Sequence, residues 1–482
     1  MDIIKINMGD LHMQTMLNNY QCREGLHFYI NIKNFNKLVA TDEKDGDMSH
    51  IFHLLNTFLV TLERYIRDNF DTDKVFVEKL TGSRIHIIVY GKCADSFKYF
   101  LNISSFAFKL SDYVASLPKY KTLPDIALQV GADFGMFHDF VFEDKDKELE
   151  EYTSIGYPAN FACKLQSLAN AGEIIVSKRI SDNIPLAQNY IITPLDNERQ
   201  SNINYKYPGS GNKAYIVEKS NRKHFFESLN NTLRFESLDN KEFNFKKYSD
   251  LASRIADRTS YGDMDTIEPN KMNFSNWNIK RSAKLNATVV FADVRDFTKK
   301  FDPNGSNLKE MSEITRKVLN CMYENCEKRN GVHIQFQGDR EFAFFPESEV
   351  KNAIVFALNL RKEIRSFYSG IEVGIGIHYG KVYASQIGLE SEDDNFVKQN
   401  IMIGNTINVA DSLEDQCAKR GEIVVSSDVY NHKELDKTIR NLFEKRNYYW
   451  VTKHDYDDYI RVISNDEYKR ASNENTYKPW SH

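Results

Sequence analysis

The organisation of this chain is set by one stretch, residues 288–298, which reads Thr-Val-Val-Phe-Ala-Asp-Val-Arg-Asp-Phe-Thr. Its four consecutive apolar residues, 289–292, predict a strand that is buried on both faces. The strand ends in the carboxylate of Asp293, and a helical pattern follows over about residues 308–325. A buried carboxylate is costly without a partner, and a metal ion is one partner that would offset this cost.

A second carboxylate lies 46 residues further on, since 339 − 293 = 46. Residues 332–345 alternate apolar and polar up to Gly338-Asp339 and then turn apolar, which predicts a β-hairpin with its turn at this pair. If the two strands are neighbours, Asp293 and Asp339 converge, and two carboxylates can hold two divalent cations for attack on a nucleotide phosphate. A Gly-Asp pair alone is common, and a surface turn is the alternative interpretation.

Two further segments complete the pattern. Residues 373–384, Val-Gly-Ile-Gly-Ile-His-Tyr-Gly-Lys-Val-Tyr-Ala, predict a strand whose glycines allow another backbone to approach closely. Residues 403–413 begin Ile-Gly-Asn-Thr-Ile-Asn and turn into a helix. In this order and spacing, residues 285–464 resemble the class III nucleotidyl cyclase catalytic domain. The resemblance rests on Phe-x-Asp-Val-x-x-Phe-Thr, Gly-Asp and Gly-Ile-Gly-Ile-His-x-Gly.

A degenerate copy of the same pattern precedes this domain, in residues 27–36, 76–89, 128–135 and 152–165. Its offsets from the second copy are 262, 256, 243 and 248 residues, which differ only by loop-sized insertions, so a whole domain is repeated. In the first copy Asn31 stands where Asp293 stands, and Ser83 stands where Asp339 stands.

By resemblance to this family, the fold class is α+β, with two tandem ferredoxin-like βαββαβ domains of the palm type paired head to tail as an intramolecular pseudo-dimer. The predicted parts are an N-terminal lead-in (1–24), a degenerate domain that binds base, ribose and phosphate (25–217), a linker with helices (218–284), the metal-binding domain (285–464) and a flexible tail (465–482). Further self-association is compatible with such a pseudo-dimer.

Composition narrows the classes of function. The chain has 482 residues, a net charge of −5 and 27% charged residues, which does not favour a nucleic-acid-binding surface. Its six cysteines form no CxxC pair, and neither a signal peptide nor an apolar run of bilayer length is recognisable. These features predict a cytoplasmic protein with reduced cysteines and with neither nucleic-acid nor membrane partners.

The resemblance implies one complete active site built from both domains. The second domain supplies Asp293, Val294 and Asp339 to two divalent cations, Mn²⁺ or Mg²⁺. The first domain supplies Asn160, which orients the ribose, and Lys164, which lies four residues on and so on the same helix face. Lys164 takes the place of the family's Arg and stabilises charge on the phosphoryl group in transit, as a point charge rather than a bidentate fork.

The remaining substrate contacts are implied by the same resemblance. Phe297 and Thr298 are substrate-binding positions, and the base-reading positions fall on Lys79 and Thr153. Lys79 can only donate, so it suits N1 of adenine or the O2/N3 edge of a pyrimidine, and the residues leave this choice open. The second domain has Ser412 at the position of the Arg, so the mirror site is expected to be inactive.

A compact, stand-alone pair of domains most resembles the pyrimidine cyclases of bacterial Pycsar anti-phage systems. The chain is therefore expected to convert a nucleoside triphosphate to a 3′,5′-cyclic nucleotide and pyrophosphate. Cytidine is the expected base, and the product is expected to be a defence signal read by a separate effector. Uridylate or adenylate cyclase activity are the alternatives. A catalytically inactive nucleotide-binding regulator is the alternative from another class, because the first domain has lost its acids.

Overall fold

The structure, a computed structural model, describes residues 22–45, 49–121, 123, 126–144, 149–184, 192–206, 212–217, 245–258, 265–266, 283–367, 370–388 and 399–452. The predicted tail at 465–482 lies outside these residues, as do most of the predicted lead-in and most of the predicted linker. Residues 22–217 are called the first repeat below, and residues 283–452 the second repeat.

Two β-sheets organise the described residues. The first contains β1 (Cys22–Ile32), β2 (Val75–Thr81), β3 (Arg84–Tyr90), β4 (Leu128–Asp144), β5 (Leu149–Ile155), β6 (Ile174–Ser177), β7 (Ile192–Pro194) and β8 (Ala214–Val217). The second contains β9 (Asp265–Thr266), β10 (Ala283–Val294), β11 (Val332–Phe336), β12 (Arg340–Pro346), β13 (Val373–Ile387), β14 (Gln399–Ile403), β15 (Ile423–Ser426), β16 (Phe443–Arg446) and β17 (Tyr449–Thr452). The strand orders are β2-β3-β1-β4-β6-β8-β7, with β5 on β4, and β11-β12-β10-β13-β15-β17-β16, with β14 on β13 and β9 on β10.

Helices accompany both sheets. The first repeat has α1 (Phe35–Asp45), α2 (Ser49–Asn69), α3 (Cys93–Ser116), α4 (Tyr157–Leu168), α5 (Lys178–Asn183) and α6 (Asn197–Lys206). Helix α7 (Phe245–Arg258) lies within the predicted linker. The second repeat has α8 (Leu308–Glu327), α9 (Val350–Phe367), α10 (Asn405–Ser412), α11 (Ser427–Tyr430) and α12 (Lys437–Arg440). The predicted α+β fold with two repeated units is confirmed.

The central strand of the second repeat is β10, which pairs with β12 on one side and β13 on the other. Residues 287–292 of β10 are all buried, as its apolar run predicts. A strand in this position has both edges paired and both faces covered, so its path is fixed by the sheet. Asp293 lies at the end of this strand and is therefore held by the most buried part of the domain.

The registers of the two sheets correct one of the repeat offsets. Phe291 pairs with Gly376 in the second sheet, and Tyr29 pairs with Gly131 in the first. Because Tyr29 and Phe291 are 262 residues apart, Gly131 corresponds to Gly376, an offset of 376 − 131 = 245 rather than the predicted 243. The error arose because glycines recur every second residue at Gly374 and Gly376, and a strand aligned on such a pattern fits equally well after a two-residue shift.

Gly376 shows why this strand needs glycine. A Cβ atom at Gly376 would lie 2.3 Å from the backbone nitrogen of Glu414 and 2.5 Å from the carbonyl oxygen of Ala410. Gly131 in the first repeat meets the backbone nitrogen of Gln166 in the same way, at 2.0 Å. The helix that follows therefore packs directly on the strand in both repeats, which is the close backbone approach that the sequence predicts.

The two repeats share their hydrophobic cores. Phe142 on β4 packs into the core of the second repeat, with its ring centroid 4.8 Å from that of Tyr323 and 5.2 Å from that of Phe336. Reciprocally, Tyr383 on β13 and Ile401 on β14 are buried in the core of the first repeat. The strand pairs β4–β5 and β13–β14 are thus exchanged between the repeats. Each fully buried side chain of this size stabilises the pair by roughly 1.5–3 kcal/mol.

Helix α7 packs against the helical layer of the first repeat. Tyr248 is buried there, its ring lies edge-on to Tyr65 at 5.2 Å, and its hydroxyl accepts a hydrogen bond from Asn69 at 2.7 Å. The ammonium of Lys119 donates to the carbonyl oxygen of Ala256 at 2.8 Å. This part of the predicted linker is therefore a helix fixed to the first repeat.

Two further properties concern the predictions about membrane-spanning segments and cysteines. Among the described residues, there is no helix with the length and apolar character that crossing a bilayer requires. All six cysteines lie in described segments and none forms a disulfide.

Replacing Phe142 with Ala should destabilise both repeats together. The substitution removes a buried aromatic ring from a shared core and should lower the free energy of unfolding by about 3–5 kcal/mol. Urea unfolding followed by tryptophan fluorescence and by circular dichroism should still give one transition, shifted to lower urea. Phe100→Ala is the matched control, since Phe100 packs on Phe28 wholly inside the first repeat at 5.0 Å. Two separate transitions, with only one shifted in each variant, would show that the repeats fold independently.

Candidate active site

The two acids predicted to bind metal lie at the ends of neighbouring strands. Asp293 pairs with Arg340 in the ladder between β10 and β12, and Asp339 directly precedes Arg340. The turn that carries Asp339 is closed by a hydrogen bond from the backbone N–H of Gln337 to the carbonyl oxygen of Arg340, at 2.8 Å. Gly338 in this turn has φ +73°, a backbone conformation that favours glycine. The hairpin and the central strand therefore bring the two carboxylates to one place.

The electrostatics of this place favour a cation. Burial raises the pKa of Asp293 above its ordinary range, and the neighbouring charge of Asp339 raises it further. Burial likewise raises the pKa of Asp339, and the Glu414 carboxylate adds to the effect. The Asp293 side chain is still 27% exposed, so an ion from solvent can reach it. Paired carboxylates that resist ionising together fit a divalent cation, and their hard oxygens suit Mg²⁺ or Mn²⁺.

Two arginines lie behind the acids and are held by one glutamate. Arg295 contacts Asp293 at 3.3 Å and Glu414 at 2.6 Å, and Arg340 contacts the other oxygen of Glu414 at 2.6 Å. Arg340 also contacts Asp411 at 2.5 Å. Glu414 is 3% exposed and lies in a π-helical turn, Leu413–Cys417, that follows α10. Such turns are frequent at functional sites, and this one directs Glu414 between the two guanidinium groups.

The first repeat retains the arginine but not its acids. Arg340 lies over the ring of Phe291 at 4.1 Å, and the equivalent Arg84 lies over the ring of Tyr29 at 5.9 Å. Arg84 donates to the sulfur of Cys163 at 3.2 Å, where the second repeat has Asp411. The arginine over an aromatic ring is therefore common to both repeats, whereas the acidic cluster belongs to the second repeat.

The first repeat reaches this cluster through helix α4. The Asn160 side chain donates from Nδ2 to the Thr298 hydroxyl at 3.1 Å. A Cβ atom at Gly338 would lie 3.2 Å from Asn160 Oδ1, so the amide also faces the turn that carries Asp339. Asn160 thus contacts both segments of the second repeat that bear the acids. Lys164 lies one turn further along α4 and is half-buried.

Two of the predicted site residues, Val294 and Phe297, have buried apolar side chains. Val294 is 2% exposed, and because its side chain is a hydrocarbon, it can offer a metal ion only its backbone carbonyl oxygen. Phe297 is also 2% exposed and packs edge-on against Phe301 with ring centroids 5.4 Å apart. Its ring anchors the loop, and any contact of Phe297 with substrate runs through its backbone. Thr298, in contrast, is partly exposed beside Asn160.

The predicted base-reading residues lie together, but Lys79 is fully engaged. Its ammonium donates to the Thr153 hydroxyl at 3.1 Å, to Glu151 at 2.5 Å and to the carbonyl oxygen of Phe336 at 2.6 Å. An ammonium has three hydrogens, so these contacts use all of them. Lys79 can therefore donate to a base, as predicted, only if the base replaces one of these three protein acceptors.

Lys79 begins a chain of charged groups that crosses between the repeats. Glu151 on β5 accepts hydrogen bonds from Lys79 and from the backbone N–H of Phe336, at 2.8 Å, while its other oxygen contacts His333 at 2.9 Å. The second ring nitrogen of His333 contacts Glu341 at 2.7 Å. We call Lys79, Glu151, His333 and Glu341 the interface charge chain. The two carboxylates raise the pKa of His333 to about 9 despite its burial, and Lys79 and His333 lower the pKa of Glu151.

Sequence reasoning missed Glu151, His333 and Glu341. Glu151 and His333 lie 182 residues apart, in different repeats, and neither belongs to a motif. The one available signal was local, since His333 and Glu341 sit on the two strands of the predicted hairpin. Arg295, Arg340 and Glu414 were missed for a similar reason, although two of them adjoin predicted metal ligands.

A second buried cluster lies beside the base-reading residues. Glu78 accepts hydrogen bonds from the backbone N–H and the hydroxyl of Ser154, at 3.0 and 2.6 Å. It also contacts His86 Nδ1 at 2.8 Å, and His86 Nε2 contacts His27 Nδ1 at 3.2 Å. Because His86 uses both ring nitrogens within the cluster, these residues form a hydrogen-bonded chain. That chain fixes Ser154, the neighbour of Thr153.

The comparisons with known proteins bear on this site. Residues 279–458 match the family of the adenylate and guanylate cyclase catalytic domain. The matched residues contain the whole second repeat, including its two acids. An adenylate cyclase from Anabaena cylindrica is 30% identical over 142 residues, which are 26% of this chain and 26% of that protein. A terminal-differentiation-specific adenylate cyclase from Dictyostelium discoideum is 25% identical over 182 residues, 36% of this chain and 8% of that protein.

These matches span about a quarter or less of the two curated relatives. A solved structure covers far more of the chain. A class III adenylyl cyclase-like ATP-binding protein from Pseudomonas aeruginosa matches 92% of this chain and 91% of its own, with a TM-score of 0.69 and 14% sequence identity. At this identity the similarity shows the fold, so both repeats together form a cyclase-like tandem arrangement.

The stability of the protein should depend on pH through His333. Its folded pKa of about 9 lies above its ordinary value of 6.5, so protonated His333 stabilises the fold fully below about pH 6.5. This contribution is lost as the pH rises through about 9. The urea midpoint of the wild type should therefore fall over this range by more than that of His333→Gln. His378→Gln is the control, because burial lowers the pKa of His378 and its partner Ser426 lies in the same repeat. Parallel curves for wild type and His333→Gln would contradict the prediction.

Asp339→Asn should stabilise the metal-free protein while removing its response to metal. The raised pKa of Asp339 means that ionising it in the folded state is unfavourable, and at pH 8 this cost is fully present. The metal-free variant should therefore melt about 2–4 °C higher than the wild type. Added Mn²⁺ should raise the melting temperature of the wild type and leave that of the variant unchanged. Asp296→Asn, which changes an exposed acid of the same loop, should respond to Mn²⁺ as the wild type does.

Proposed function

We propose that this protein is a nucleotidyl cyclase that converts a nucleoside triphosphate to a 3′,5′-cyclic nucleotide and pyrophosphate. The single active site lies at the interface between the repeats, and Asp293, Asp339 and the carbonyl oxygen of Val294 hold two divalent cations there. The observation that carries the proposal is the position of Asn160. It belongs to the repeat that lacks the acids, yet it contacts both Thr298 and the Gly338 turn of the repeat that has them.

The chain's own groups have distinct parts in the reaction. Asn160 orients the ribose, so that the 3′-oxygen faces the α-phosphorus. A bond forms between these two atoms as the bond from the α-phosphorus to the bridging oxygen breaks, and pyrophosphate leaves. Lys164 stabilises the negative charge on the phosphoryl group in transit. The bound divalent cations would lower the pKa of the 3′-hydroxyl, whose proton passes to solvent, and would neutralise the triphosphate.

The base is proposed to be a pyrimidine, with cytosine preferred. Thr153 accepts a hydrogen bond from Lys79, so the proton of its own hydroxyl remains available for an acceptor on the base. The O2/N3 edge of cytosine offers two such acceptors, one for Thr153 and one for Lys79, whose hydrogen bond to Thr153 the base would replace. Uracil and adenine also present acceptors, so uridylate and adenylate cyclase activity remain the alternatives. The cyclic product is proposed to act as an anti-phage signal that a separate effector binds.

A second candidate function is nucleotide binding without catalysis. It is favoured by the similarity over most of the chain to a cyclase-like protein described as ATP-binding, and by the replacement of the family's Arg by Lys164. Against it, the second repeat retains both acids, and the lost acids are confined to the first repeat. Catalysis is therefore the first candidate.

Product analysis with all four nucleotides tests the proposal. The purified protein is incubated with ATP, GTP, CTP and UTP together, with Mn²⁺ or Mg²⁺, and the products are identified by mass. A cyclic pyrimidine nucleotide is expected from the wild type and from Asp296→Asn, while Asp293→Asn and Asp339→Asn should lose at least about a hundredfold in rate.

Other results of the product analysis would change the proposal in specific ways. Cyclic AMP as the main product would retain the cyclase and overturn the pyrimidine assignment. Binding of a nucleoside triphosphate without any cyclic product, by a protein that also binds Mn²⁺, would favour the regulator. Phage challenge of bacteria that express the wild type or Asp339→Asn tests the defence role, and equal plaque counts would contradict it.

A further inference from the structure

The interface charge chain binds both backbone polar groups of one residue of the second repeat, Phe336. Glu151 accepts the backbone N–H of Phe336, and Lys79 donates to its carbonyl oxygen. Phe336 ends β11, which is an edge strand of the second sheet. Within the described part of the chain, the backbone groups on its outer edge have no further strand to pair with. Side chains from the other repeat therefore take the place that a neighbouring strand would have.

Phe336 lies close along the chain to Asp339, one of the proposed metal ligands. Phe336 is three residues before Asp339, and the hydrogen-bonded turn between them is short. The other strand of the same hairpin is held as well, because Glu341 on β12 contacts His333, which contacts Glu151. Both strands that flank Asp339 are thus tied to Glu151 on β5 of the first repeat.

Two β-bulges direct the side chains of His333 and Lys79 toward Glu151. The register between β11 and β12 shifts between His333 and Gln335, and the register between β2 and β3 shifts between Val77 and Lys79. A bulge re-aims the side chains next to it. His333 and Lys79 flank the two bulges and both turn toward Glu151, whose carboxylate binds them with separate oxygens.

We propose that Glu151 and His333 are positioning residues that couple the base pocket to the metal site, by holding the Asp339 hairpin against the strands that carry Lys79 and Thr153. This inference rests on the proposed function and extends it. A base that replaces Glu151 or the Phe336 carbonyl as acceptor for Lys79 loosens the hairpin. A base that replaces only Thr153, the longest of the three contacts at 3.1 Å, leaves the hairpin in place. The cognate base is thus the one that keeps Asp339 positioned for metal.

The chemistry of the interface charge chain distinguishes a positioning role from mere stabilisation of the contact between the repeats. Apolar packing of Phe142 already joins the same surfaces, so the charged groups are not needed to bring them together. Four alternating charges with short, directed hydrogen bonds fix orientation instead, since each group has its partner at one distance and angle. Their removal is therefore expected to alter the metal site before it alters the fold.

The test measures how much a base strengthens Mn²⁺ binding. Mn²⁺ affinity is measured by electron paramagnetic resonance with saturating α,β-methylene nucleoside triphosphate, which cannot cyclise, or with ribose 5-triphosphate, which lacks a base. In the wild type, the analogue of the preferred nucleotide should tighten Mn²⁺ binding roughly tenfold relative to ribose 5-triphosphate. In Glu151→Gln and His333→Gln this gain should fall to about twofold or less.

Control variants separate positioning from damage to the fold. His378→Gln changes a half-buried histidine elsewhere in the second repeat and should keep the wild-type gain. Glu151→Asp keeps the charge with a shorter reach and should give an intermediate gain, and circular dichroism confirms that each variant is folded. If Glu151→Gln does not fold, Glu151→Asp and His333→Gln still decide the question.

The outcomes separate the inference from the proposed function. An undiminished gain in folded Glu151→Gln or His333→Gln overturns the inference and leaves the cyclase proposal standing. Equal Mn²⁺ affinity with and without a base in the wild type also overturns the inference alone. A wild type that binds neither Mn²⁺ nor any triphosphate overturns both.

Discussion

The exchange of strand pairs between the repeats is the interaction on which the rest of the molecule depends. Because β4–β5 completes the core of the second repeat and β13–β14 that of the first, neither repeat buries its apolar surface alone. Pairing of the repeats is therefore part of folding, and the interface exists before any ligand binds. The position of Asn160 beside the acid-bearing turn follows from this packing, since α4 directly succeeds β5 along the chain.

The proposed metal site is a balance of charges that the surrounding side chains maintain. Asp293 and Asp339 oppose each other's ionisation, which favours a cation, yet Arg295 and Arg340 lie close enough to neutralise both. Glu414 binds both guanidinium groups from behind. It thereby offsets positive charge that would otherwise repel a cation near the two acids, while the arginines keep their packing role.

The strongest sequence patterns predicted the fold well. The apolar run of β10 gave a buried central strand, and the glycines of β13 marked the close approach of a helix. The sequence showed the repeat but not the correct alignment of β4 with β13. A strand pattern with period two looks the same after a shift of two residues. The interface charge chain could not be predicted, since it joins residues from different repeats whose approach depends on the whole fold. Lys79 was predicted to face a base, but the three protein acceptors that its ammonium contacts were not predicted.

The loss of acids from one repeat has an evolutionary consequence. In a dimer of identical subunits, every substitution is made twice, so a change in the base pocket appears on the subunit that also binds metal. In this chain the proposed base-reading positions and the acids belong to separately encoded halves, with Asn31 and Ser83 in place of the acids in the first. Under the proposed function, substitutions in the first half could change the preferred nucleobase without any mutation in the half that would anchor the phosphates. A tandem gene of this kind would then be a ready starting point for new signalling nucleotides.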